Sequence, residues 1–183
     1  MATVRNIGTG VTEFKTLHAH NFIRGRQPSK DAIRTRLGDL VFQVIAYEES
    51  RFRQFDDTGM PLFQSQQGFG VMQPDPPSSG LQIWNWMANV DEGKKRYRDG
   101  QGTVRNHFQN TRNAHPTLPA LTTEMLHLAD YQFYHSGPSH DAGYYWIPNS
   151  TFDDWVPGTL TAYADHAVSV EQAVSSGAPP VDW

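Results

Sequence analysis

Two adjacent carboxylates, Glu48 and Glu49, stand near the end of the apolar run VFQVIAYEESRFRQF, residues 41 to 55. A carboxylate on a buried stripe is costly unless it is neutralised or hydrogen-bonded, so the pair asks for a reason. Partial burial among apolar groups is also how a carboxylic acid stays protonated near neutral pH, the state that acid-catalysed cleavage of a sugar polymer needs. On a helical wheel of about 100° per residue, Glu48 falls near the centre of the apolar stripe and Glu49 at its edge. Periodicity favours Glu48 as the buried residue. An edge position at a helix end favours Glu49 as the group that reaches both apolar walls and a substrate.

The elements that must position this pair read as helices. From Ser29, a capping residue, Ile33, Leu37, Leu40, Val41, Val44 and Ile45 recur at spacings of three and four, which predicts one helix running to about Glu49. A second starts near Gly80 with Leu81, Trp84, Met87, Ala88 and Val90 on one face and a charged continuation containing KKRYR, read as a solvated face. A third spans LPALTTEMLHLADYQFYHSGP, with Pro119 in its first turn and Gly137-Pro138 as its stop. A fourth is LTAYADHAVSVEQAV. Residues 100 to 118 are polar and ambiguous, and residues 55 to 70 read as an irregular surface segment with room for a short β-hairpin. The expected class is mainly α: an N-terminal extension over 1–28, one helical domain over 29–174, and a loose C-terminal tail over 175–183.

Composition narrows the partners. The chain has 183 residues, 38% hydrophobic and 19% charged, enough for one domain with a core. A net charge of -4 gives no whole-molecule reason to expect nucleic acid or an anionic membrane as partner. The absence of cysteine removes disulfides, thiolate metal sites and a cysteine nucleophile. His127, His135 and His140 lack the H-E-x-x-H spacing of a zinc site, so no metal or other cofactor is expected. No stretch of about 18 apolar residues is present to span a bilayer, and MATVRNIGTGVTEF lacks the apolar core of a secretory signal. Most of the five tryptophans are expected in the core, although a groove could also use them.

Three stretches in order, YEESRF at 47–52, GFGVMQPD at 68–75 and FYHSGPS at 133–139, resemble the successive motifs of the soluble lytic transglycosylase and goose-type lysozyme superfamily: Glu-Ser, Gly-Leu-Met-Gln and Ala-Tyr-Asn-x-Gly. ANVDEG at 88–93 resembles that superfamily's Asn-Ile-x-x-Gly stretch, and LTAYADHAV its closing helix. The resemblance covers roughly Val41 to Val168. It implies a lysozyme-like helical fold with Glu49 as the catalytic acid and Ser50 orienting it. Gly70, Val71, Met72 and Gln73 would form a wall of the sugar groove, Met72 as an apolar contact and Gln73 as a hydrogen-bonding partner of an acetamido sugar. Tyr134 would bond the catalytic glutamate. His135 stands where the family carries asparagine.

The activity so implied is cleavage of the β-1,4 bond between N-acetylmuramic acid and N-acetylglucosamine in peptidoglycan, by hydrolysis or by lytic transglycosylation. Asp75 occupies the place of the aspartate that helps water attack in goose-type lysozymes; its PDPP setting also reads as an ordinary turn. Asp56 and Asp57 are further carboxylates with no motif behind them. The alternative is a non-catalytic glycan-binding or structural module of a phage or secretion particle. The expected partners are peptidoglycan strands, with a secretion or phage component or an immunity protein beside them. A protein made in the cytoplasm without a signal peptide would reach the cell wall by lysis or by a dedicated delivery apparatus.

Overall fold

The computed structural model describes residues 24–63, 68–76, 79–137 and 144–183, together with the backbone of two short strands at 2–4 and 15–17. Among these residues there are six helices and two two-stranded antiparallel sheets. The protein is mainly helical, as expected.

Helix α1 (Lys30–Leu37) begins where Ser29 Oγ accepts from the Ala32 N–H at 3.1 Å. Where one helix was expected to reach Glu49, there are two. Gly38 takes φ +75°, a left-handed conformation that suits glycine, and closes α1; Asp39 is the N-cap of α2 (Leu40–Ser50). The apolar periodicity runs across this corner because both helices face the same core. Helix α2 buries Phe42, Val44, Ile45, Ala46 and Tyr47. It ends abruptly, with Arg51 at φ +56° and Phe52 at φ +61°, so Glu48 and Glu49 lie in its last turn.

Helix α3 (Gly80–Trp84) leads into α4 (Trp86–Ala114), whose Asn85 side chain accepts from the Met87 and Ala88 N–H groups. The 29 residues of α4 include most of the stretch that the sequence left ambiguous. Its buried positions are Asn89, Val90, Gly93, Tyr97, Gly100, Val104 and Phe108, a helical stripe made inconspicuous by its two glycines. Helix α5 (Thr123–Ser136) is capped by Thr122 and stopped by Gly137; Pro119 lies ahead of it, outside the helix, and not in its first turn. Helix α6 (Ala162–Ser175) buries Ala164, Ala167 and Val170.

The strands lie elsewhere than expected. Ala2–Val4 (β1) pairs with Lys15–Leu17 (β2), and Trp146–Pro148 (β3) pairs with Trp155–Pro157 (β4), with Ile147 opposite Val156. In the 55–70 segment the described residues contribute only isolated bridges, Phe55 to Pro61 and Phe63 to Phe69. Each strand of the β3–β4 hairpin is three residues long and ends in proline, too short to register as alternation. Tertiary anchors secure it: Trp146 Nε1 donates to the Met125 carbonyl at 2.9 Å and Trp155 Nε1 to the Pro119 carbonyl at 3.0 Å.

The C-terminal residues, expected to be loose, fold back onto α1 and α2. Trp183 packs on Tyr47 and Phe52, Arg34 Nη2 donates to the Trp183 carbonyl at 2.9 Å, and Tyr47 Oη donates to Asp182 at 2.6 Å. At the other end, Gln27 accepts from the Gln54 and Phe55 N–H groups at 2.9 and 3.0 Å, fastening residues ahead of α1 to the turn beyond α2.

Helices α4 and α5 pack together, α5 packs on α6, and α6 on α2, which surrounds the last turn of α2 with helices. The loop at 68–73 is fixed to α4 by one buried side chain. Asn89 Oδ1 accepts from the Met72 N–H at 2.9 Å, while Nδ2 donates to the Phe69 and Gln82 carbonyls at 2.6 and 3.0 Å. Because Asn89→Ala strands one buried and two part-buried backbone groups, we expect a loss of about 3 kcal/mol in urea denaturation. A loss below about 0.5 kcal/mol, the scale of an ordinary surface change, would show that the clamp contributes little.

Candidate active site

The last turn of α2 opens onto a cleft of about 590 Å³, within the range of small-molecule sites. Its described lining comes from Glu49 on α2, Gln73 and Asp75 on the loop, Arg96 and Thr103 on α4, and Tyr134 and His135 on α5, with neighbours of each. The described lining includes Phe133 and no tryptophan, so this part of the cleft does not use the tryptophans.

Glu48 and Glu49 are almost equally buried, with side chains 9% and 13% exposed, and they face different surroundings. Glu48 Oε2 meets His166 Nδ1 at 2.8 Å, and Oε1 lies 4.0 Å from Arg51. Glu49 lines the cleft. Burial pushes its carboxyl up to about 7; Tyr163 beside it lowers the value and the Glu48 charge raises it. At neutral pH this group is therefore poised between acid and base, as a proton-transfer catalyst should be. The Tyr163 hydroxyl is buried beside Glu49, the carboxylate that acts on it most strongly, by its charge and as a hydrogen-bonding neighbour.

Tyr163 was not singled out from sequence, although a signal existed. It stands at i-4 and i-7 from Ala167 and Val170 on the packed stripe of α6, a polar tip where the pattern calls for core. Because its hydroxyl favours the charged carboxylate, Tyr163→Phe should move the Glu49 titration to higher pH, readable by NMR of the carboxyl carbon. A shift to lower pH would contradict this arrangement.

The residues singled out from sequence divide into cleft and scaffold. Gln73 lines the cleft at φ +46°; its Nε2 donates to the Gly70 carbonyl at 2.7 Å, and its Oε1 is buried, with no hydrogen-bond partner among the described residues. Asp75 is exposed at the cleft, and Arg96 Nη1 donates to its backbone carbonyl at 2.5 Å. Met72, expected as an apolar sugar contact, is fully buried and outside the described cleft lining, wedged against α4 where a Cβ on Gly93 would stand 2.5 Å from its own Cβ. Val71 is fully buried too, and Gly70, at φ +74°, sits so close to Gln54 that a Cβ would meet its Oε1 at 2.4 Å. These three build the wall from behind.

Ser50 acts through the backbone. Its hydroxyl donates to the Val71 carbonyl at 2.8 Å and accepts from the Arg53 N–H at 3.1 Å, joining the end of α2 to the loop. Tyr134, expected to bond the glutamate, donates instead to the Met72 carbonyl at 2.6 Å, although it lies near enough to feel the Glu49 charge. His135 lines the cleft with Nδ1 4.0 Å from Glu49 Oε1.

Asp56 and Asp57 lie away from the lining. Asp56 accepts from Thr58 and Met60 within its own turn, and Asp57 pairs with Arg53 at 2.7 Å. His127 pairs with Glu171 at 2.6 Å, while His140 is outside the described residues. Among the described residues no three His, Asp or Glu side chains gather as a metal site, and no helix is long and apolar enough to cross a membrane.

The chain matches no protein-family model, no curated protein and no solved structure. What the cleft can do must follow from its own groups: a buried carboxyl that titrates near neutrality, a second titratable ring 4.0 Å away, and polar walls carried by two helices and a loop.

Proposed function

We propose that the protein is a muramidase of lysozyme-like type, cleaving the β-1,4 bond between N-acetylmuramic acid and N-acetylglucosamine in peptidoglycan. The observation that carries this reading is Glu49: a largely buried carboxyl at the wall of an open cleft, raised to about 7. A protonated carboxyl in that place can give its proton to a glycosidic oxygen at neutral pH, which an ordinary surface glutamate cannot.

The motif resemblance supports the same reading by a physical route. Asn89 and Gly93 of ANVDEG meet GFGVMQPD, one holding the Met72 N–H and the other making room for Met72, so two of the resembling stretches serve one loop. Glu49 acts first as acid and then as base, Gln73 stands in the cleft wall, and Asp75 at the cleft is available to assist water. In this reading the protein acts on the cell wall, reached by lysis or by a delivery apparatus, with glycan strands as its principal partner.

The test is mass spectrometry of the muropeptides released from purified peptidoglycan. Products with a reducing muramic acid end identify hydrolysis, and anhydro ends identify transglycosylation. An absence of products from active-site-intact protein overturns the reading, and glycan binding without products would turn it into that of a binding module.

A further inference from the structure

The cleft holds a second proton-carrying side chain within reach of Glu49. His135 projects from α5 with 43% of its side chain exposed, and Nδ1 is 4.0 Å from Glu49 Oε1. Tyr163 on α6 holds its orientation: the two rings are stacked, with centroids 4.3 Å apart and planes 9° from parallel. The tyrosine that touches the acid's environment thus also supports the imidazole.

From this geometry we propose that His135, in place of Glu49, is the catalytic base of the same site, accepting the proton of the hydroxyl that attacks the anomeric carbon while Glu49 supplies the proton to the leaving oxygen. The inference rests on the muramidase reading. Glu49 gives its O–H proton to the glycosidic oxygen as the C1–O bond breaks, and the bond's electron pair stays on that oxygen. The attacking oxygen, from water or from the sugar's C6 hydroxyl, forms the new bond to C1, and its proton passes to Nδ1. Imidazolium and carboxylate then face each other, and return of the proton from Nδ1 to Oε1 resets both.

The separation also bears on how water could enter. An inverting attack needs acid and base about 6.5–9.5 Å apart to admit a water between them, and the 4.0 Å between His135 Nδ1 and Glu49 Oε1 is shorter than that.

The charge environment supplies the starting protonation states. Around the pair stand Glu48 from α2, Arg96 and Asp99 from α4, Tyr134 from α5, Tyr163 from α6 and Asp75 from the loop, with His166 behind Glu48. Burial lowers His135 from its ordinary 6.5 and raises Glu49 to about 7. Both shifts run toward a protonated glutamate beside a neutral imidazole, the pair of states the step requires.

The experiment is the pH profile of kcat/KM on peptidoglycan for wild type, His135→Ala and His135→Gln, with and without added imidazole, each variant checked for folding by circular dichroism. We expect both variants to lose about 100-fold, the lower end of general-base effects, and to lose the acid limb of the profile, with imidazole restoring His135→Ala and not His135→Gln. Wild-type rates and an intact acid limb in the folded variants would overturn the base assignment alone. So would a loss that imidazole does not rescue with the acid limb unchanged, which marks a structural role. A wild type that releases no product removes the muramidase reading itself.

Discussion

Glu49→Gln is expected to abolish peptidoglycan cleavage, by about a thousandfold or more, while the protein stays folded. Glutamine keeps the size and the hydrogen-bonding capacity of the side chain but has no proton to give, so the variant removes the acid and leaves the cleft. A positioned general acid contributes about 10²–10⁴-fold, and Glu49 is the acid of the cleft whichever group serves as base, so a loss of about a thousandfold is expected. Muropeptide release, followed by mass spectrometry beside a circular dichroism spectrum, measures it. Glu48→Gln should be far milder for cleavage, since its carboxylate faces His166 and Arg51 and not the cleft. Full activity in the folded Glu49→Gln protein would leave the proposed mechanism without its acid.

The same substitution should stabilise the protein above neutral pH. The Glu49 carboxyl titrates at about 7 when folded, against 4.5 for an ordinary glutamate. Folding therefore holds its proton more tightly than the unfolded chain does. Its contribution is favourable at acid pH and is lost as pH rises from 4.5 through about 7. At about 1.4 kcal/mol per unit, the charged form above pH 7 costs about 3 kcal/mol. His127, held up by Glu171, adds a loss of the same sign as pH rises through its own raised value, and His135, lowered by burial, adds the opposite trend below 6.5.

Both histidines remain in the variant, so the difference between the two stability curves isolates Glu49. Urea denaturation of both proteins across pH 4 to 9 should give curves that separate steadily between about 4.5 and 7 and then run parallel, the variant being the more stable. Parallel curves throughout would mean that Glu49 titrates as an ordinary glutamate and would remove the electrostatic basis of the site. A group that is destabilising where it is functional is the usual compromise of a catalytic residue.

Much of this site is legible in the sequence. The apolar spacing from Ile33 to Ile45 locates the core-facing helices and brings two carboxylates to the end of the run; the edge position then separates Glu49 from Glu48, and Glu49 is the one of the two that lines the cleft. Helix ends at Ser29 and Gly137 are readable because capping is local chemistry, completed within four residues. The corner at Gly38 is not, because two helices that share a core share one hydrophobic pattern across their junction. The continuation of α4 past residue 100 is hidden because its buried stripe is partly glycine, which allows close approach to Met72 and Phe133 and carries no hydropathy signal.

The sequence alone determined the mainly helical class, the place of the two carboxylates at the end of an apolar run and the residue types near them, since these depend on periodicity, local caps and the order of residues along the chain. Tertiary structure decided everything that depends on what meets what. It turned Met72 inward and left Gln73 at the cleft, directed the Tyr134 hydroxyl to the Met72 carbonyl, brought Tyr163 beside Glu49 from more than a hundred residues away, and set His135 at 4.0 Å from its carboxylate. A pKa near 7 belongs to this second group, because desolvation is a property of the packed surroundings and no arrangement of letters along a chain contains it.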